Sequence, residues 1–371
     1  MFFLTISNVW SFSYFFVTLY IFFIFSFILY LIPIYNSFNN TKIITVNFNT
    51  FHYISNYTIN FIINYFLLML ILLNFLWSST IVSTWFGHII FSNFQSKIIY
   101  LIIIFFFLIQ YVINIFNYFT NREIFDFYIT MLNILFWIII LFCSNSIFTT
   151  IFIIEVLSTL IFLLLVTSSF SSTFFYQNLN FNLHNYNNNS LPYMFLNAII
   201  FYFWISLISS LNLFIFILFF FTKIPSFDWY LIEHIFYFFI THFNFKEQFS
   251  LGLVWFFFIF CIFLKCGLAP FYVWKPSFFK GLTWNILFFY ITFFYFFLFL
   301  FFINFFTSYF YEIFFYYIYI SLFLIIIGIT VLIFILCETF YIKTFLAISS
   351  ILNSLLVLLS LIIPHIVFIE I

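Results

Sequence analysis

Charge is what this sequence has least of. Only 5% of its 371 residues are acidic or basic, nine of each sign, and the formal net charge is zero. No basic patch exists to hold a nucleic-acid backbone, which excludes that class of partner. The four cysteines, Cys143, Cys261, Cys266 and Cys337, lie in or at the ends of apolar runs. They have neither metal-ligand spacing nor a pairing pattern, so they read as packing residues and no metal site is expected. There is no G-x-G-x-x-G, no phosphate loop and no cysteine ligand set, so no cofactor is expected on this chain. No Lys or Arg precedes Lys42, so neither the basic start of a signal peptide nor an Arg-rich transit peptide is expected. Glycine (5) and proline (6) are scarce as well.

Apolar residues fill the space, at 67% of the chain, with a mean hydropathy of +1.28. That lies far outside the range of a water-soluble domain. In lipid every backbone amide must be satisfied within its own helix or a closed barrel, and runs of about 20 apolar residues match helices. The expected fold is all-α, a polytopic transmembrane bundle of about ten helices. The runs lie near 10–33, 59–83, 97–116, 126–143, 147–167, 192–222, 250–265, 282–306, 313–336 and 343–363. Phenylalanine alone takes 76 positions, a bias expected when a genome very rich in A and T writes apolar codons, and it points to an organelle gene. With an even helix count both termini share one side. Lys42, Arg122, Lys275, Lys280 and Lys343 then fall in loops on the other side, against Lys97, Lys223 and Lys246, a weak positive-inside bias toward the matrix.

Nearly all the charges fall in loops or at helix ends, where long side chains reach water at little cost. Glu155, within FTTIFIIEVLSTLIFLLL, and Lys265, closing LVWFFFIFCIFLK, do not. A charge at membrane depth costs at least about 3 kcal/mol, so such residues usually face a hydrated interior and serve a pathway. The bland alternative is a protonated Glu155 and a Lys265 that reaches the interface. Gly267 and Pro270 follow Lys265 within five residues; proline removes a backbone donor and clashes with the preceding turn, so a helix break is expected there. Broken helices at membrane depth are tolerated where they line a cavity. A lysine at such a break, tuned by burial and a nearby carboxylate, can load and release protons near neutral pH. Glu155 is the one membrane-embedded acid in the sequence available to partner it.

Two motifs carry a family resemblance. SNSIFTTIFIIEVLSTLIFLL, Ser144 to Leu164, has a small polar start, an apolar turn, then Glu followed by Leu and Ser. KCGLAPFYVWKPSFFKG, Lys265 to Gly281, is similar to Lys-x-Gly-x-x-Pro-Phe-His-x-Trp-x-Pro-x-x-x-x-Gly. At these residues the chain resembles subunit 2 of the proton-pumping NADH:ubiquinone oxidoreductase, respiratory complex I, one of its antiporter-like subunits. CETFYIKTFLAISSIL, Cys337 to Leu352, adds a softer match. The matches run from about 126 to 355. The resemblance implies an antiporter-like (Mrp-type) fold lacking its last helices. Its parts would be a three-helix segment over 1–125, the Glu155 and broken Lys265 helices over 126–280, and a truncated second half over 281–371.

The resemblance also implies a role: a non-redox subunit contributing to proton translocation coupled to NADH:ubiquinone electron transfer in the mitochondrial inner membrane. Glu155 and Lys265 would be its proton-translocation residues. Departures deplete the relay. Tyr272 stands at the usual histidine, Tyr295 at the lysine of the following helix, and Asn353 at a position often held by histidine. These three become candidate relay groups, although tyrosine, with a reference pKa near 10, stores protons poorly. Implied partners are the other membrane-arm subunits, lipids, and a separate chain carrying the C-terminal helices, since a bundle without its second repeat would turn polar positions to lipid. Two other readings stand beside this one: another antiporter-like subunit of the same complex (subunit 4 or 5 type), and a lineage-specific structural membrane subunit in which Glu155 and Lys265 are buried polar groups without proton transport.

Overall fold

The computed structural model describes residues 82–84, 87–115, 121–179, 190–223, 245–309 and 318–369, with scattered positions between 228 and 238. Among them the protein is mostly helical. Helices α1 (Asn93–Ile115), α2 (Asn121–Cys143), α3 (Ile147–Leu179), α4 (Ser190–Lys223) and α5 (Phe245–Cys266) precede a short α6 (Trp274–Gly281). Then α7 (Trp284–Phe289) passes through a π-helical segment (Tyr290–Tyr295) into α8 (Phe296–Tyr309), followed by α9 (Ile318–Cys337) and α10 (Ile342–Ile369). Among the described residues five stretches are long and apolar enough to cross a membrane: Ile147–Val166, Leu196–Thr222, Ile286–Phe305, Tyr319–Cys337 and Ile342–Ser360. Phe94–Gln110, Thr130–Cys143 and Gly252–Cys266 are shorter apolar helices. This is a helical membrane protein. The expected runs from 97 onward each coincide with a helix; the run at 10–33 lies outside the described residues, as does nearly all of 59–83.

The all-α expectation is met apart from one short element at the end of the run 59–83. Val82–Thr84 and Ile89–Phe91 pair as an antiparallel hairpin, β1 and β2, so the end of the run 59–83 is strand. Gly87, at φ +92°, provides the turn that an L side chain would resist. Its carbonyl accepts from Asn145 Nδ2 (3.3 Å), and the His88 carbonyl accepts from the Asn145 backbone N–H (2.8 Å). The hairpin is thereby tied to the C-terminal end of α2.

The chain divides into two compact units, Met1–Asn145 with Thr159–Asn178, and Ser146–Ser158 with Leu179–Ile371. In the first, Ser92 precedes α1 and its backbone N–H donates to Gln95 Oε1 (2.6 Å), one half of a capping box. The second holds every residue of the candidate site. There Ser146 caps α3, its hydroxyl accepting from the Thr149 N–H at 3.4 Å and its carbonyl from Thr150 N–H at 3.0 Å. Gly328 of α9 lets the helix approach the loop after α5 closely: a Cβ there would stand 2.9 Å from Ala269 Cβ. Phe214 and Leu218 of α4 and Phe323 and Phe334 of α9 are exposed. Such faces suit lipid or another subunit.

Candidate functional site

Helix α5 ends where the sequence says it should. The Gly267 N–H donates to Leu264 O and the Leu268 N–H to Phe263 O (2.8 Å), the paired bonds that close a helix on a left-handed residue. Gly267 is that residue, at φ +63°. With no side chain it also admits Trp274 and Lys275, since a Cβ would lie 2.9 Å from Trp274 Cζ2 and 3.2 Å from Lys275 Cδ. Pro270 follows and the chain restarts as α6. The Trp274 indole N–H donates back to Leu264 O (3.2 Å), locking α6 against the last turn of α5.

Lys265, the last basic residue of α5, reaches Glu155 of α3, its Nζ donating to Oε1 at 2.5 Å. The lysine side chain is 8% exposed and the glutamate 33%. The glutamate stays within its helix's own hydrogen-bonding frame: Ser158 Oγ donates to Glu155 O (2.7 Å) and lies 3.4 Å from Oε2. Tyr202 of α4 donates to Ser158 O (3.1 Å), and its ring stacks on Phe278 and meets Trp274 edge-on. So α3, α4, α5 and α6 are stitched together around one ion pair. A small, largely apolar cavity lies beside it, with Thr150, Ile154, Trp229, Phe258 and Cys261 among the residues that line it with Lys265.

The second half of the site was not foreseen. Lys275, expected in a loop at the membrane surface, is fully buried in α6. Its Nζ sits 3.4 Å from the centroid of the Tyr295 ring and 3.4 Å from Cys266 O, to which it donates. Tyr295 is the last residue of the π-helical segment, and its hydroxyl donates to Ser354 Oγ of α10 at 3.0 Å. Lys275 lies outside the candidate spans, and burial away from water pulls its amine down to about 7, against a smaller opposing effect of Cys266. Lys343, also expected in a loop, opens α10 and donates to Leu282 O at 2.6 Å, pinning the end of α6.

Of the candidate relay groups, Tyr295 joins this cluster. Tyr272 is half-buried and gives its backbone carbonyl to the Lys275 N–H. Asn353 is exposed on α10, and its neighbour Ser354 supplies the inward hydroxyl instead. Among the described residues no group of three or more His, Cys, Asp or Glu side chains is placed to hold a metal ion. No protein-family model matches the chain, and no curated protein matches it at a significant level.

Proposed function

We propose that this chain is an antiporter-like membrane-arm subunit of mitochondrial NADH:ubiquinone oxidoreductase, of the subunit 2 type. It contributes to proton translocation in the respiratory chain without touching the electrons. The observation that carries the reading is the Lys265–Glu155 ion pair, set between two apolar helices at a built helix break. An apolar bundle gains nothing from such a pair that a well-packed hydrophobic pair would not give more cheaply, because desolvating two charges offsets most of their attraction. Its use lies in protonation: amine and carboxylate in direct contact can pass a proton or separate charge when water or a third group approaches.

The glutamate supports the reading of partners. With its side chain a third exposed on this chain, Glu155 needs a neighbouring subunit or water over it, since a carboxylate facing hydrocarbon is costly. Neighbouring membrane-arm subunits, including a chain that carries further antiporter-like helices, would supply that cover in the inner membrane. Lipid would cover the apolar faces of α4 and α9.

Two measurements test this. Native respiratory complexes are separated and the chain located by mass spectrometry; migration with the NADH-oxidising complex is expected, and absence from it ends the proposal. Lys265→Met in the assembled complex is then expected to lower the protons moved per NADH. An unchanged stoichiometry with intact assembly would favour the structural reading, in which the ion pair only fixes α3 against α5.

A further inference from the structure

Lys275 has features that a surface lysine lacks. It is fully buried, and no carboxylate pairs with it among the described residues. A buried ammonium without a counter-charge is among the costlier groups a protein can hold, and a methionine of similar length would fill the same space without that cost. Yet its surroundings are shaped to it. Gly267 leaves room for its Cδ, Cys266 O accepts a hydrogen bond from its Nζ, and the Tyr295 ring lies under its amine.

The ring is itself held from two directions. Tyr295 closes a π-helical segment, a local widening of the helix that is frequent at functional sites. Its hydroxyl is tied to Ser354, whose own hydroxyl donates to Ile351 O at 2.7 Å. Cys266, whose carbonyl accepts the hydrogen bond from Lys275 Nζ, directly follows Lys265 in sequence, so the second amine is anchored one residue along from the ion pair.

We propose that Lys275 is a second proton-binding site in the interior of this bundle, following the Lys265–Glu155 pair, with Tyr295 as the positioning residue that holds its amine in place. The inference rests on the proton-transport reading above, which it extends from one amine to two. The step moves one proton and no electrons. An ammonium at Lys265 gives a proton to a water, and that water gives a proton to the Lys275 amine. Lys265 is left neutral, Lys275 charged and the water unchanged. Among the described residues, the titratable groups that face α6 from the elements packed against it include Lys265 and Cys266 at the end of α5, Tyr202 on α4, Tyr290 and Tyr295 in the π-helical segment, and Lys343 on α10. None of these is a carboxylate that would fix the amine in its charged form.

The first test reads the amine directly, in the full chain reconstituted in liposomes with nitrogen-15 lysine and followed by solid-state NMR. One Nζ signal is expected to titrate between about pH 6 and 8, to vanish in Lys275→Met and to persist in Lys265→Met. A Lys275 amine that stays charged up to about pH 9 overturns the proposal. The second test uses the assembled complex. Lys275→Arg keeps a cation over the ring but cannot release a proton, so proton movement is expected to fall about tenfold or more, as in Lys275→Met. If the arginine variant moves protons like the unsubstituted chain, a fixed charge suffices and the proposal fails. The two readings fail separately: should the chain prove absent from the NADH-oxidising complex while the Lys275 signal still titrates, the assignment to that complex is lost and the proton-binding site stands.

Discussion

Replacing Gly267 by alanine tests the helix break on which both lysines depend. Two costs add. At φ +63° an L residue meets the left-handed penalty of about 1 to 2 kcal/mol. The new Cβ would also lie 2.9 Å from Trp274 Cζ2, 3.1 Å from its Cε2 and 3.2 Å from Lys275 Cδ. Trp274 has little room to yield: it is buried, its indole N–H is committed to Leu264 O, and its ring is braced by Tyr202 and Phe278. Overpacking of this kind costs about 1 to 3 kcal/mol. Gly267→Ala should therefore cost about 2 to 5 kcal/mol in all.

Gly87 is the internal control. It too has a positive φ, +92°, but a Cβ there would meet nothing within 4 Å. Gly87→Ala should carry only the backbone penalty, about 1 to 2 kcal/mol. The assay is unfolding of the purified chain in detergent, with both variants measured against the unsubstituted protein. A Gly267→Ala loss exceeding that of Gly87→Ala by about 1 to 3 kcal/mol is expected. Equal losses would mean that the close approach of α6 to the end of α5 does not constrain the fold, and the placement of Lys275 would lose its support.

Two further substitutions probe the polar contacts. Glu155→Gln leaves Lys265 without its counter-charge in a site where the lysine side chain is 8% exposed, so a loss of about 3 to 5 kcal/mol is expected. Adding Lys265→Met should recover at least about 1 kcal/mol of it in a double-mutant cycle, whereas strictly additive losses would mean the pair is not coupled. Tyr295→Phe keeps the ring beneath Lys275 and removes only the 3.0 Å bond to Ser354, a loss of about 0.5 to 1.5 kcal/mol. Tyr295→Leu removes the ring face as well and should cost up to about 2 kcal/mol more; equal stability of the two variants would show that the amine does not use the ring.

The sequence discloses the Glu155–Lys265 pair because each is a lone charge in a long apolar run, where lipid makes charge conspicuous. The break is legible too, since Gly267 and Pro270 carry backbone constraints that act locally. Lys275 is not legible in this way. WKPSFFKG reads like a surface segment, with two lysines, a proline and a serine within eight residues, and only the return of the chain as α6 buries it. A signal existed all the same in the aromatic residues at Trp274, Phe278 and Phe279, all of which the structure buries. On α10 the helical period separates the two polar candidates. Ser354 shares a face with Ala347, Ile351, Leu355 and Leu358, which are buried, whereas Asn353 keeps phase with the exposed Leu356 and Val357. The β-hairpin escaped because its three-residue strands adjoin an apolar run and leave no alternation long enough to read.

The cations of the second unit show what a chain with 30% aromatic and 5% charged residues can do with so few carboxylates. Among the described residues Lys265 has a full counter-charge. Three other lysines meet ring faces: Lys275 at 3.4 Å from Tyr295, Lys280 at 5.3 Å from Tyr341 and Lys343 at 5.3 Å from Trp284. A ring quadrupole attracts a cation by about 0.5 to 2 kcal/mol, far less than a charge partner in a site closed to water. It therefore positions an amine without committing it to one protonation state. Lys280 is exposed, so its amine also meets solvent. Lys275 is buried away from bulk water, with the ring and the Cys266 carbonyl as its supports, so gain and loss of the proton come closest to balance where the helix break brings the amine beside the Lys265–Glu155 helices.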